Sequence, residues 1–429
     1  MFRLNYFIAL LIILLFVACT TSKKSATGVS DDFIKNNSSN ATTMLNNMLK
    51  TADVKFSVKN GAYPRTTNKE GKMATTSMYD WTPGFFPGNL WYTFEFTKDA
   101  SIKAQAVKWT EKLEPLQYYT GNHDLGFMVY CSYGNANRLA NKPEYKNILI
   151  NAAKSLCSRY NATVGSIKSW NRFNSWHGNA SYDFPVIIDN MMNLELLFFA
   201  TKITGDNYYR NIAIKHAETT MQNQFRSDYS SYHVICYDST TGKVVAKETA
   251  QGYADSSTWS RGQAWAIYGF TMTYRETKDP RFLKTAIGLT DYFINNKNLP
   301  EDGVPYWDFN ANEPGYTPGV KSYANKVMTK YRDASAAAIT ASGLLELSTY
   351  VGGKESEKYK NFAIKMIRSL AGPAYLAKPG TNGDFIIEHC VGSIPHQSEI
   401  DVPLVYADYY FLESLIRINR INKGQALIQ

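Results

Sequence analysis

Apolar residues recur three or four positions apart through most of the chain, the period of helices that bury one face. Strand-like alternation is confined to short pieces such as YHVICYD at 232–238. This pattern predicts a mainly α protein, and it repeats loosely. In LANKPEYKNILINAAKSL, KITGDNYYRNIAIKHAETTM, RETKDPRFLKTAIGLTDYF and VGGKESEKYKNFAIKMIRSL, one apolar helix ends in a polar turn and a second opens with an aromatic residue and a spaced Ala. Pro, Gly or Asp stands where the first helix must stop. The turns fall near 142, 205, 278 and 353, with a weaker one near 98 in FTKDASIKAQAV. Such hairpins cannot each bury an apolar face alone and must pack on one another. With the segments near 33–51 and 404–422 added, about twelve helices are expected. Six hairpins can close into an (α/α)6 barrel or stack as an open solenoid. Long connections at 160–185, 224–258 and 372–402 favour the barrel, since loops of that length are usually functional and would crowd one mouth of the ring. Residues 31–429 then form one all-α domain.

The first 19 residues, MFRLNYFIALLIILLFVAC, break this pattern with an early Arg and an apolar run too short and too terminal for a convincing membrane span. They read as an export signal. The end, FVAC before TTSKK, resembles the bacterial lipoprotein signal, which makes Cys19 the expected lipid anchor and residues 20–30 a polar tether; ordinary cleavage after Ala18 is the alternative. The remaining cysteines, Cys131, Cys157, Cys236 and Cys390, are widely spaced and form no CxxC, so free buried thiols are expected even in an oxidising compartment. Six scattered histidines form no ligand motif, so no metal or other cofactor is expected. The net charge of +9 comes without any Lys/Arg-rich block, which argues against a nucleic-acid partner and leaves a small anionic substrate open. Aromatic residues make up 14% of the chain, which suits stacking on sugar rings and equally suits packing between helices.

Three further stretches concentrate unusual residues. In DWTPGFFPGNLWYTFEF at 80–96, Trp81, Phe85 and Phe86 lie among two prolines and two glycines, a composition that favours the aromatic lip of a pocket over core. In GNHDLGFMVYCSYG at 121–134, His123 and Asp124 precede an apolar helix, and in VIIDNMMNLELLFF at 186–199 Asp189 does the same. Either acid could simply cap its helix. If both helices are inner helices of a barrel, the two carboxylates face each other at one mouth, an arrangement that glycosidic chemistry commonly uses. In QGYADSSTWSRGQAWAIYGF at 251–270, Arg261 stands between Trp259 and Trp265. A guanidinium held by aromatic faces is prepared to meet a carboxylate, while a buried salt bridge with Asp255 would be a purely structural use.

Together WTPGFFPGNLWY, NHDLGFMVY, IDNMMNLELLF and WSRGQAWAIYG resemble the unsaturated glucuronyl hydrolases of glycoside hydrolase family 88, over a span from Asp80 to the YADYYFLESL segment at 406–415. The resemblance implies an (α/α)6 barrel that removes a non-reducing-end 4,5-unsaturated uronic acid from lyase-generated oligosaccharides of the glycosaminoglycan type. The reaction begins by hydration of the C4=C5 vinyl ether. By similarity Asp189 donates a proton to C4 and takes one from the water adding at C5, and Asp124 sits opposite. Trp81, Phe85 and Trp170 are expected as stacking walls; His123, His233, Gln251, Trp259 and Arg261 as substrate contacts, Arg261 near the uronate carboxylate; His177 is a weaker candidate. Pro83 departs from the small residue expected there and should stiffen the loop. Ser393, His396, Gln397 and Ser398 in the 388–401 loop receive no assignment. Hydrolysis of unsaturated rhamnogalacturonan fragments, or non-catalytic glycan binding at the cell surface, are the competing readings.

Overall fold

The computed structural model describes residues 25–55, 62–140 and 142–428, so the signal segment, Cys19 and the first part of the tether lie outside the described residues. Its helices alternate between an outer and an inner position. The outer helix α1 (Asp31–Lys55) precedes the inner α2 (Phe85–Thr97) and outer α3 (Ala100–Glu111). The next inner element is a π-helix, Gly126–Gly134, running into α4 (Asn135–Ala140), with α5 (Pro143–Cys157) outside it. A 3-10 turn, Ile188–Asn193, leads into inner α6 (Leu194–Thr204), followed by outer α7 (Asn207–Asn223). The pairs α8 (Ser260–Thr277) and α9 (Pro280–Ile294), then α10 (Ala334–Leu347) and α11 (Gly353–Leu370), repeat the arrangement, and α12 (Val405–Asn422) is the last inner helix. Each inner helix packs on the next, and α12 returns to α2, so the ring is closed. This is the (α/α)6 barrel of the sequence reading, not the open solenoid.

Burial explains which helix goes where. Every residue of α10 is buried, and so is α8 from Ser260 to Thr273, because an inner helix meets neighbours on all sides. The outer helices are apolar on one stripe only; in α11 the buried set is Tyr359, Ala363, Ile364, Met366, Ile367 and Leu370.

Three hairpin turns share one construction. A left-handed residue closes the inner helix (Lys98, Gly205 or Lys278), and the Asp that follows caps the outer one. Asp99, Asp206 and Asp279 accept from the backbone N–H of Ser101, Tyr208 and Arg281. The inner helices therefore all begin at one end of the ring, where the long connections gather. Short antiparallel strands order those connections, notably Pro185–Ile187 paired with Val234–Tyr237, which delivers the chain to Asp189.

Candidate active site

At the end where the inner helices begin lies a cavity of about 810 Å³, lined by Trp81, Trp170, Trp176, Gln251, Arg261, His396 and Tyr406 among others. Helix N-termini carry partial positive charge, so six of them converging here favour an anionic ligand. Beneath this lining sit the two acids, Asp189 at 8% exposure and Asp124 at 7%.

Neither acid is a helix cap. Ile187 occupies the cap position before the 3-10 turn and Leu125 the one before the π-helix, so each carboxylate is free to face its surroundings. Burial pushes the Asp189 carboxyl up to about 7, against Arg261, its own backbone N–H and the Trp265 indole, all of which favour the charged form. Asp124 is also raised well above the usual range, by burial and then by Asp189 and Asp80, with Arg159 and Asn193 opposing. The charge of Asp189 is among the causes that raise Asp124, so the two acids do not both ionise readily and the pair holds at least one proton near neutral pH.

His233 faces Asp189, its Nε2 3.6 Å from Oδ2. Its Nδ1 accepts the backbone N–H groups of Ala250 and Gln251, both at 3.1 Å, which puts the ring proton on Nε2. Burial holds the ring well below the usual histidine range, so it is a neutral donor turned toward the carboxylate. Asp189 Oδ2 and His233 Nε2 are both buried without a hydrogen-bond partner, a pair of groups ready for a ligand.

The other expected contacts divide. Trp81, Trp170, Gln251 and Arg261 line the cavity. Phe85 does not: it is fully buried behind Trp81, in an aromatic cluster with Phe127, Tyr406 and Tyr409. Pro87 and Gly88 lie within the buried first turns of α2, so the 80–96 stretch is mostly core, with Trp81 alone reaching the pocket. A Pro near a helix start removes no intrahelical hydrogen bond, which is why the prolines did not forbid this. His123 is likewise buried behind Asp124, Nε2 to Oδ1 3.3 Å, and burial drops it to about 3. Trp259 underlies the site rather than walling it, its ring 4.5 Å from both His233 and the Arg261 guanidinium. His177 is half exposed and pairs with Asp255 at 3.1 Å.

Arg261 corrects both readings made of it. It pairs with Asp333, at 2.9 Å, and not with Asp255; the faces that hold it are Trp259 and Tyr406, and not Trp265. Nη1 and Nη2 also donate to the carbonyls of Val391 and Gly392, the latter at 2.7 Å, so it fastens the hairpin Cys390–Ser393/Ser398–Val402 that closes one side of the cavity. Asn190 and Asn193, close to Asp189 in sequence, turn elsewhere: Asn190 donates to Ile167 O, and Asn193 Oδ1 accepts from the Phe127 N–H.

Sequence reasoning missed Tyr406, Asp333 and the Arg65–Glu399 pair. Tyr406 tilts against Trp81 at 4.8 Å, and Arg65 donates to Glu399 at 2.6 and 2.9 Å while also pairing with Asp80. Only Asp333 left a readable signal, as an Asp immediately before the Ala-rich start of α10.

The comparisons with known proteins agree with this geometry. The model of Glycosyl Hydrolase Family 88 matches residues 58–276. An unsaturated glucuronyl hydrolase from Formosa agariphila is 51% identical over 341 residues, 79% of this chain and 80% of that protein. The chain belongs to glycoside hydrolase family 88. Within the family, a crystal structure of an unsaturated glucuronyl hydrolase specific for heparin superposes with a TM-score of 0.82 at 43% identity, covering 92% of this chain and 99% of that one. An Asp-to-Asn variant of the Streptococcus agalactiae enzyme, complexed with dGlcA-GalNAc6S, superposes with a TM-score of 0.71 at 28% identity, over 91% of each chain. Family 88 membership makes this chain a glycosidase, and its fold is that of the family's solved structures.

Proposed function

We propose that this family 88 glycosidase removes the 4,5-unsaturated uronic acid from the non-reducing end of lyase-generated glycosaminoglycan oligosaccharides. The observation that carries the reading is a carboxyl group at about 7, buried beside a second acid and facing an unpartnered His233 N–H at the floor of an aromatic cavity. Protonated Asp189 gives its proton to C4 of the vinyl ether, and positive charge develops at C5 and the ring oxygen. Asp124, as a carboxylate, stabilises that charge. Water then adds at C5 and returns a proton to Asp189, which ends the cycle as it began. The hemiketal so formed opens and releases the sugar. One residue thus acts as acid and then base, a task suited to a group whose pKa lies near the working pH. Relatives named for glucuronyl and chondroitin disaccharide substrates support the substrate class.

Loss of the double bond's ultraviolet absorbance measures the reaction directly. Turnover is expected on lyase-made glycosaminoglycan disaccharides; release only from pectin-derived fragments would replace this reading with the rhamnogalacturonan one. Asp189→Asn is expected to abolish turnover while leaving disaccharide affinity within about tenfold. A substantial residual rate in that variant would show that the proton comes from elsewhere. The signal pattern supports a lipid anchor at Cys19 and, with it, a location in the periplasm or on the cell surface of a bacterium. Cys19→Ala should move the protein from the membrane to the soluble fraction.

A further inference from the structure

Residues 25–29 are fastened to the last residue of α12. Asn422 Oδ1 accepts from the hydroxyls of Ser25 and Thr27 at 2.8 and 2.7 Å and from the Thr27 N–H at 3.1 Å, and the Asn422 amide donates to Val29 O at 2.9 Å. Asn422 stands at the end of the ring opposite the active-site cavity, one turn from the point where Arg420 pairs with Glu95 in the last turn of α2. The polar tether of the sequence reading is thus held from Ser25 onward.

Only TTSKK, residues 20–24, separates Cys19 from Ser25. The six residue steps from one to the other reach at most about 21 Å when fully extended. The 18 residues of α12 alone rise about 27 Å, and the cavity lies at the far end of that helix, where Tyr406 lines it. A lipid on Cys19 therefore cannot bring the mouth of the barrel to a membrane while residues 25–29 stay bound.

The end that the anchor does reach is suited to phospholipid. Lys98, Lys202, Lys278 and Lys423 stand at the ends of α2, α6, α8 and α12, and among the described residues none of the four forms an ion pair. The acids of the same turns, Asp99, Asp206 and Asp279, are turned onto the N–H groups they cap. Ile203 and Tyr208, 38% and 54% exposed, add apolar and amphipathic surface at one of these turns. Lysines beside an anionic bilayer are drawn by its surface potential, and their apolar stems lie along the headgroup layer.

We propose that this end of the barrel is a membrane-facing surface, seated on an anionic phospholipid bilayer so that the active-site mouth points away from it. The inference rests on the lipid anchor at Cys19 proposed above. Its use is electrostatic: the mouth stands about 27 Å or more from the lipid, roughly three Debye lengths at physiological salt. An anionic oligosaccharide then reaches the cavity without entering the negative potential of the membrane.

The test couples the chain beginning at Cys19, through its thiol, to a maleimide phospholipid in vesicles of phosphatidylethanolamine and phosphatidylglycerol. The other four cysteines are buried, and the coupling does not depend on a cell lipidating Cys19. Lysine acetylation read by mass spectrometry then shows which end is covered. Lys98, Lys202, Lys278 and Lys423 should label at least threefold more slowly than in the uncoupled protein. Lys321 and Lys326, exposed in the connection between α9 and α10 on the mouth side, should label at an unchanged rate. Protection of Lys321 and Lys326, or equal labelling at both ends, overturns the proposal. In the triple variant Lys202→Glu, Lys278→Glu, Lys423→Glu, the labelling of Lys98 should recover at least halfway while kcat/KM stays at the wild-type value; undiminished protection of Lys98 overturns the assignment of this face to anionic lipid. Wild-type protein in the soluble fraction of cells would count against the anchor alone, whereas the vesicle labelling decides the orientation.

Discussion

Asp189 shows how one side chain's surroundings set both activity and stability. Its carboxyl rises from 3.8 to about 7 on folding, so the folded chain binds a proton over that interval that the unfolded chain releases. Stability from this group is therefore fullest below about pH 4 and is lost as pH rises through 7. Activity that needs the proton should fall with an apparent pKa near 7 on the alkaline side. Asp189→Asn removes the titration, so the variant should be inactive yet gain stability relative to wild type as pH rises from 5 to 8, by on the order of a few kcal/mol. Denaturant titrations of both proteins at the two pH values measure the difference; a gap that does not widen with pH would mean the carboxyl is not raised. Arg261 makes a second case. Because it holds Val391 and Gly392 as well as facing the cavity, Arg261→Ala should raise KM, lower kcat and speed proteolysis of the 388–401 hairpin together. An increase in KM alone would reduce its role to binding the uronate.

At the scale of the element, the repeated turn is the strongest device in the chain. A left-handed residue followed by a capping Asp ends one helix and starts the next within two residues, which fixes inner and outer helices side by side. Asp206 caps through a single bond to Tyr208 N at 2.8 Å, and Asp206→Ala should cost about 1 kcal/mol of stability without changing KM. A urea unfolding series checks this, and an unchanged midpoint would show the cap to be dispensable. These turns are local chemistry, and for that reason the hairpins near 98, 205 and 278 could be read from the residues alone. The start of α2 could not. Phe85 and Trp81 are four residues apart in similar company, and only the closure of α12 against α2 decides that Phe85 is sealed against Tyr406, Tyr409 and Tyr410 while Trp81 keeps an edge on the cavity. His123 escaped for the same reason: it is enclosed with the help of distant segments, its backbone N–H bonded to Ser169 O and Asn190 beside its ring. Asp124 and Asp189 were legible through the NHDLGF and IDNMMN motifs rather than as acids at helix starts, which Asp99, Asp206 and Asp279 share, but which groups favour the charge of each was not. Arg159 and Asn193 on one side and Arg261 on the other arrive from segments far apart in sequence.

The ring as a whole is polarised along its axis. Its N-terminal end gathers positive helix ends, aromatic walls and the two acids; its C-terminal end holds a second cavity of about 620 Å³ laced with ion pairs. There Arg417 donates to Ser342 O at 2.6 Å and Tyr268 at 2.8 Å and lies 3.2 Å from Glu346, while Glu413 accepts from Tyr92, Tyr268 and Ser342. Arg275 joins Glu346 to Glu195, so the network links α2, α6, α8, α10 and α12. Cations at the end where helix carbonyls point offset the negative ends of the dipoles as well as the glutamates. Arg417→Leu leaves Glu413 buried with hydroxyl partners only and Glu346 with Arg275 as its remaining cation, and losing one partner of such a network costs about 3–5 kcal/mol. The folded fraction should nevertheless keep its KM and both limbs of its pH profile, because the groups facing Asp124 and Asp189 all lie at the other end. A lower urea midpoint with unchanged kinetics is the expected result. A shifted pH limb in Arg417→Leu would mean instead that the two ends of the barrel are energetically coupled through the inner helices, and that the site's electrostatics are set by the whole ring rather than by its N-terminal face.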